Sequence, residues 1–318
     1  MSAEKEPPTL EPAAPAMELA GLEILSTPHL RWYHLEDPQS PMLEQLAQAL
    51  QFHELEVEDC RYRTQRAKLE EYENHIFFIA NTLHFEPETL GVWFGELDVF
   101  VGPDFIVTVH VGPTRSVREV LPRVKAAVKL QRPDKILHAL LDNLVDRYMP
   151  VLDTIGDHID KLEDEVWAGP TPKSLEEIFT LKRGLIEFRR TVGTMREAVN
   201  AIMRLRPPYM RADMAAYWRD LYDHIVRALD MIETYRDLLT GVLDVHISAT
   251  ANRTNEIMKV LTIYATIVLP LYLITGYFGM NFPDLPLLKH PYGLAILHIG
   301  MILLTVGLLI FFRRRRWL

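Results

Sequence analysis

Leu261–Phe278, LTIYATIVLPLYLITGYF, is 18 residues long and carries no formal charge. A second run follows after a short connector: Tyr292–Phe312, YGLAILHIGMILLTVGLLIFF, 21 residues whose ionisable groups are His298 and the tyrosine. About 20 apolar residues cross the hydrocarbon core of a bilayer, and about 18 lies near the lower limit. A buried core helix is the alternative for either run. The short connector and the basic cluster ending the second run favour a membrane hairpin. Arg313–Arg316 abuts Phe312, and Arg253 and Lys259 precede the first run. Positive charge collects on the cytoplasmic side of spans. Both ends of the hairpin are therefore expected in the cytoplasm, with 279–291 as its outer loop and the cell (inner) membrane as its location.

Outward from that hairpin the chain changes character. The 318 residues carry 34 Lys and Arg against 43 Asp and Glu, a net charge of −9. Residues 258–318 hold a net +5 and residues 1–257 a net −14. The acidic balance gives no reason to expect nucleic acid as a partner. One cysteine, Cys60, excludes an internal disulfide and a four-cysteine zinc site. Glu4, Pro7, Pro8, Glu11 and Pro12 leave neither the basic nor the apolar segment of a signal peptide, so residues 1–20 read as a flexible tail.

Residues 21–112 alternate short apolar runs with turn signals and read as an α+β domain, α/β/α in layers with a mixed sheet. Strands are expected at Leu30–Leu35, Lys68–Tyr72, His75–Leu83, Leu90–Val101 and Phe105–Val111. A helix is expected at Pro41–Phe52, and Gly102-Pro103-Asp104 marks a hairpin turn. Residues 113–206 read as helical: Ser116–Tyr148 with breaks near Pro122 and Pro133, then Val151–Trp167 after Pro150, then Ser174–Leu205. Asp153, Asp157 and Asp160 share one helical face, either a solvated surface or a field that concentrates cations. Residues 207–278 form a stalk helix running into the first span, since Arg211–Leu269 has no proline and only Gly241. Fifty-nine helical residues reach roughly 90 Å, too long for one globular core. Residues 279–291 form the outer loop and 292–318 the second span with its basic end.

Stepping along the stalk at helical intervals gives Asp244, Ser248, Ala251, Asn255, Met258, Leu261, Ala265, Leu269 and Tyr272. The stripe passes from carboxylate through amide to apolar bulk. Met258 and Leu261 suit a constriction that closes by dewetting, while Asp244 and Asn255 offer oxygens to a hydrated cation. Ordinary packing of an apolar face is the competing reading. Pro270 lies inside the span, and Gly279-Met280-Asn281 follows it directly. A ring of Asn carboxamides at a symmetric mouth would accept hydrogen bonds from the water shell of Mg2+, which sheds its waters reluctantly.

On these residues the sequence resembles the CorA family of divalent-cation channels. The placement of Gly279-Met280-Asn281 between two terminal spans carries the resemblance. It is joined by Thr254-Asn255-Glu256-Ile257-Met258-Lys259-Val260-Leu261-Thr262, by the Arg313–Leu318 ending and by His53–Asp59 with its closing Glu-Asp pair. Gln65–Lys68 and Tyr72–His75 continue it, while Glu54 stands where the family often has proline. The resemblance implies a funnel-shaped homopentamer in which the first span lines a central pore. It makes Gly279, Met280 and Asn281 the selectivity filter. Asp244, Asn255, Met258, Leu261, Leu269 and Tyr272 become pore-lining or gating residues. It also implies that Asp220 binds a regulatory Mg2+ with Glu58 and Asp59 of the partner subunit, and that Mg2+, or Co2+ or Ni2+, is the transported ion.

No G-x-x-x-x-G-K-[ST] loop is present to couple ATP. None is needed, because a divalent ion crossing about 100 mV gains roughly 4.6 kcal/mol. A zinc exporter or proton-coupled importer, suggested by His298 and His246, is a second reading, and a membrane-anchored sensory or scaffold protein a third. Neither H-E-x-x-H nor G-x-S-x-G occurs, so an enzyme is not expected, nor an organic cofactor.

Overall fold

The mixed sheet follows from where the turns fall. β4 (Ile76–Glu86) and β5 (Gly91–Val101) pair antiparallel from Ile76↔Val101 to Glu86↔Gly91. β5 turns into β6 (Phe105–Val109) at Gly102, whose N–H donates to the Phe105 carbonyl at 3.0 Å. A Cβ at Gly102 would lie 2.2 Å from the Phe105 ring, so a larger residue would force the hairpin open. β2 (Leu30–Leu35) then pairs parallel with β6, which requires a crossover and makes the sheet mixed. β1 (Glu23–Thr27) and β3 (Lys68–Glu71) close the edges, giving the order β1-β2-β6-β5-β4-β3. The computed structural model describes residues 22–62, 66–112, 114–205, 209–280 and 290–317.

α1 (Pro41–Leu50) begins with proline after Ser40, whose hydroxyl accepts the Met42 N–H. Its Leu43 and Leu46 join Val57, Phe77, Ile79 and Phe100 in one buried cluster. α2 (Glu54–Arg61) is a helix that the sequence did not lead us to expect. His53 supplies the cap: its Nδ1 accepts the Leu55 N–H, while the Glu56 carboxylate accepts the His53 N–H at 2.7 Å. An imidazole thus fills the place usually held by a hydroxyl in a capping box. β1 was likewise not anticipated, because Glu23–Thr27 does not alternate and owes its shape to pairing with β2.

Two prolines act differently from expectation. Pro122 lies inside α3 (Arg115–Ala126) rather than ending it, because Val117, Val120 and Val124 form a buried stripe across it. Pro150 lies in the first turn of α5 (Tyr148–Ala168), where no intrahelical N–H bond is lost. Between them α4 (Pro133–Val145) starts on its proline. α6 (Pro172–Leu205) is capped reciprocally by Thr171 and Ser174 and buries Ile178, Leu181, Leu185, Phe188 and Val192 at helical spacing.

α7 (Ala215–Phe278) is one helix of 64 residues. At about 1.5 Å per residue it extends roughly 96 Å. Gly156 of α5 meets Tyr235 of α7, where a Cβ would come within 2.6 Å of the phenol oxygen. The charges of Asp153, Asp157 and Asp160 reach Tyr235 too, adding to the burial that raises its pKa. α8 (Gly293–Arg314) completes the chain. Compact units form from 22–165 with 171–242, and from 166–170 with 243–317. The apolar windows of α7 and α8 are 6% and 0% buried. A core helix would show the opposite, so these helices keep their apolar faces for lipid or for other copies of the chain.

Candidate ion path and cation-binding cluster

Asp244, Asn255, Met258, Leu261, Leu269 and Tyr272 are all exposed on α7. Ile257, Val260 and Tyr264 are equally open, so helical spacing rather than exposure singles out the stripe. Pro270 lies within the helix and takes away the donor for the Thr266 carbonyl. The hydroxyls of Thr262, Thr266 and Thr275 donate to carbonyls one turn back, which satisfies them without water. At the end of α7 the Gly279 N–H donates to the Thr275 carbonyl at 2.9 Å, and a Cβ on Gly279 would sit 3.1 Å from that oxygen. Its backbone is not left-handed; close approach to the preceding turn is what favours glycine there. Met280 is exposed, and Asn281 lies outside the described residues.

The basic end of α8 is folded back on itself. Arg316 is left-handed at φ 56°, the Trp317 N–H donates to the Phe312 carbonyl, and the Trp317 ring stacks on Phe312. Lys259 Nζ of α7 donates to the Arg316 carbonyl at 3.2 Å.

The carboxylates expected at a regulatory site occupy separate places in one chain. Asp220 is 70% exposed on α7, with His224 Nε2 3.9 Å from its Oδ1. Glu58 is exposed on α2, and Asp59 is engaged by Lys68 Nζ at 2.6 Å.

A cluster that the sequence reading missed lies beside Asp220. Asp142 of α4, Asp146 at its C-terminal cap and His224 of α7 bring ligand atoms within 4.8 Å of one another. Asp142 and Asp146 are one turn apart and so face the same way. His138, a turn earlier, donates Nε2–H to the Tyr217 carbonyl at 3.2 Å and packs edge-on against Trp218. Burial pushes the Asp142 carboxyl above its usual range, and the Asp146 charge adds to this. Burial holds His138 below the usual imidazole range despite the neighbouring carboxylates. A cation at the cluster would relieve the repulsion between the two acids. Both four-residue spacings, Asp142/Asp146 and Asp220/His224, are visible in the sequence; their meeting across α4 and α7 is not.

The sequence model of the CorA-like Mg2+ transporter proteins matches residues 28–314. The chain belongs to that family. It is 32% identical over 283 residues to the cobalt/magnesium transport protein CorA of Thermotoga maritima, covering 88% of this chain and 81% of that one. It is also 32% identical over 301 residues to the putative metal ion transporter YfjQ of Bacillus subtilis, covering 93% of each. The solved structure of the complete CorA magnesium transporter from Methanocaldococcus jannaschii superposes with a TM-score of 0.80 at 24% identity, covering 91% of this chain and 92% of that one. That likeness bears out the α+β domain with its mixed sheet, the long helix and the two terminal apolar helices. The CorA-like match runs through both apolar helices and takes in the exposed stripe of α7 together with the Asp142–Asp146–His224 cluster.

Proposed function

We propose that this protein carries Mg2+, and Co2+ with it, across a membrane down the electrochemical gradient. Its unit of function is a homopentamer in which five copies of α7 surround the path. Gly279, Met280 and Asn281 form the outer mouth, where the Asn281 amide meets the ion's water shell. Asp244, Asn255, Met258, Leu261, Leu269 and Tyr272 line the way inward. Both termini face the cytoplasm, with the basic run Arg313–Arg316 at the inner membrane surface.

The observation that carries this reading is that α7 bears an Asp/His face at Asp220 and His224 and an exposed apolar stripe at Met258 and Leu261 on one helix. Intracellular Mg2+ binds Asp220 together with Glu58 and Asp59 of the partner subunit and holds the closed state. Asp59 would exchange its Lys68 contact for the ion. The Asp142–Asp146–His224 cluster supplies further oxygens next to Asp220 and belongs to the same sensor. Without the ion these carboxylates repel and loosen the assembly.

Flux into proteoliposomes tests the reading, comparing Mg2+, Co2+, Ni2+ and Zn2+ with and without a proton gradient. Mg2+ uptake driven by an interior-negative potential and indifferent to the proton gradient is expected. Zn2+ uptake that requires the proton gradient, with no Mg2+ flux, would replace it with a proton-coupled zinc transporter.

A further inference from the structure

His34 and His110 lie 76 residues apart, and the parallel pairing of β2 with β6 brings them together. The ladder sets His34 beside Thr108 and continues past the strand ends. The His110 N–H donates to the Leu35 carbonyl at 3.0 Å, and the Gly112 N–H to the Glu36 carbonyl at 2.9 Å. Alternate residues share a face of a sheet, so Trp32, His34 and Glu36 line up against Thr108 and His110. The two Nε2 atoms are 3.2 Å apart. Two nitrogens bound to one tetrahedral cation at about 2.0–2.1 Å would be separated by roughly 3.3 Å.

The hydrogen bonds behind His34 decide which of its nitrogens is bare. Thr108 Oγ1 donates its single proton to the Tyr33 carbonyl at 3.3 Å and accepts the Trp32 Nε1–H at 3.1 Å. Its contact with His34 Nδ1 at 2.8 Å is therefore made by a proton on the imidazole. That leaves the lone pair of His34 on Nε2, aimed at His110. A ring held through Nδ1–H by a fixed acceptor is the usual arrangement of an imidazole that ligates through Nε2. Glu36 Oε1 is 3.8 Å from the same Nε2, on a side chain 57% exposed and able to swing inward. His110 also lines an open cavity of about 750 Å³ with Ser116, Asn143 and Arg147.

We propose that His34, His110 and Glu36 form a binding site for a late first-row divalent cation, Zn2+, Co2+ or Ni2+. Two imidazole nitrogens and one carboxylate suit these ions, whereas Mg2+ prefers oxygen ligands and keeps its waters. The site thus separates borderline ions from Mg2+, which the Asp142–Asp146–His224 cluster serves better. His110 ligates as the neutral imidazole, so the proton that now bridges Nε2 to His34 moves to its Nδ1 and Nε2 turns its lone pair to the cation. Binding is weaker in acid, where protons occupy the imidazole lone pairs that the cation needs. It also ties β2 to β6 and stabilises the domain in proportion to the logarithm of free ion.

Equilibrium dialysis of Co2+ against the full chain in detergent, in excess Mg2+ to fill the oxygen sites, tests this. Wild type should hold one more Co2+ per chain than His34→Ala or His110→Ala and should show the visible absorption of tetrahedral cobalt. His224→Ala should retain both properties. Glu36→Gln, at an exposed position that leaves the fold intact, should weaken Co2+ binding about tenfold, as should Thr108→Val. Absence of the tetrahedral band from unmodified protein would overturn the proposal whatever the folding of the variants. Equal Co2+ retention by wild type and His34→Ala, or loss of the band in His224→Ala alone, would overturn it too.

Discussion

Leu140 of α4 is 0% exposed and Leu303 of α8 is 66% exposed, although both are leucines on regular helices. Leu140 belongs to a unit that expels water by its own packing, with Ile136, Leu137 and Leu144 buried beside it. Leu303 belongs to a helix whose apolar window is 0% buried by the chain. The difference teaches that hydrophobicity measures the need to leave water, and that the chain itself meets this need mainly in its first unit. In the second, lipid or other copies of the chain must meet it. Folding stability is therefore concentrated in the first unit, and the proposed ion path lies where the chain supplies little packing of its own.

The sharpest division between the two regions is expected at the mouth. Asn281→Ala should abolish selective Mg2+ flux while leaving assembly and thermal stability unchanged. Wild-type flux from a folded Asn281→Ala assembly would break the assignment. Next in size, Leu140→Ala should cost about 2–5 kcal/mol of unfolding free energy. Leu303→Ala should leave denaturant unfolding of the first unit in detergent within about 0.5 kcal/mol of wild type. A comparable loss from both would erase the contrast.

A smaller effect should link the sensor to the path. Mg2+ should protect the wild type from protease, and Asp220→Ala should raise the midpoint concentration, with His224→Ala shifting it the same way. Equal midpoints in all three proteins would remove Asp220 from the sensor. The smallest effect concerns pH in the first unit alone. Burial, with the Arg147 charge second, holds His84 below its ordinary pKa, and its ring stacks on Trp93. The neutral form is thus favoured in the folded state. Its contribution is complete above about pH 6.5 and is lost as pH falls below that through the lower folded value. His84→Gln should flatten the acid-side decline in urea midpoint and leave the value near pH 8 almost unchanged. An unaltered slope would assign that decline to other groups.

Sequence alone determined the two spans, the long helix and the succession of strands from Leu30 to Val109. Each is written locally: an uncharged run, a stretch free of proline, apolar residues bounded by turn signals. Gly279-Met280-Asn281 stood out for the same reason, as a short motif between two apolar runs, and its role as a filter is the proposal made above. The α2 helix escaped because its cap is an imidazole, and Pro122 and Pro150 misled because burial and first-turn position override the usual rule for proline. Only the tertiary structure brought Asp142 and Asp146 to His224, and His34 to His110. The first meeting depends on how α4 lies against α7, and the second on a parallel strand pair that a crossover makes. Neither is fixed by neighbours in the chain, because the contacts that set helix packing and strand order join residues whose separation in sequence carries no local signal.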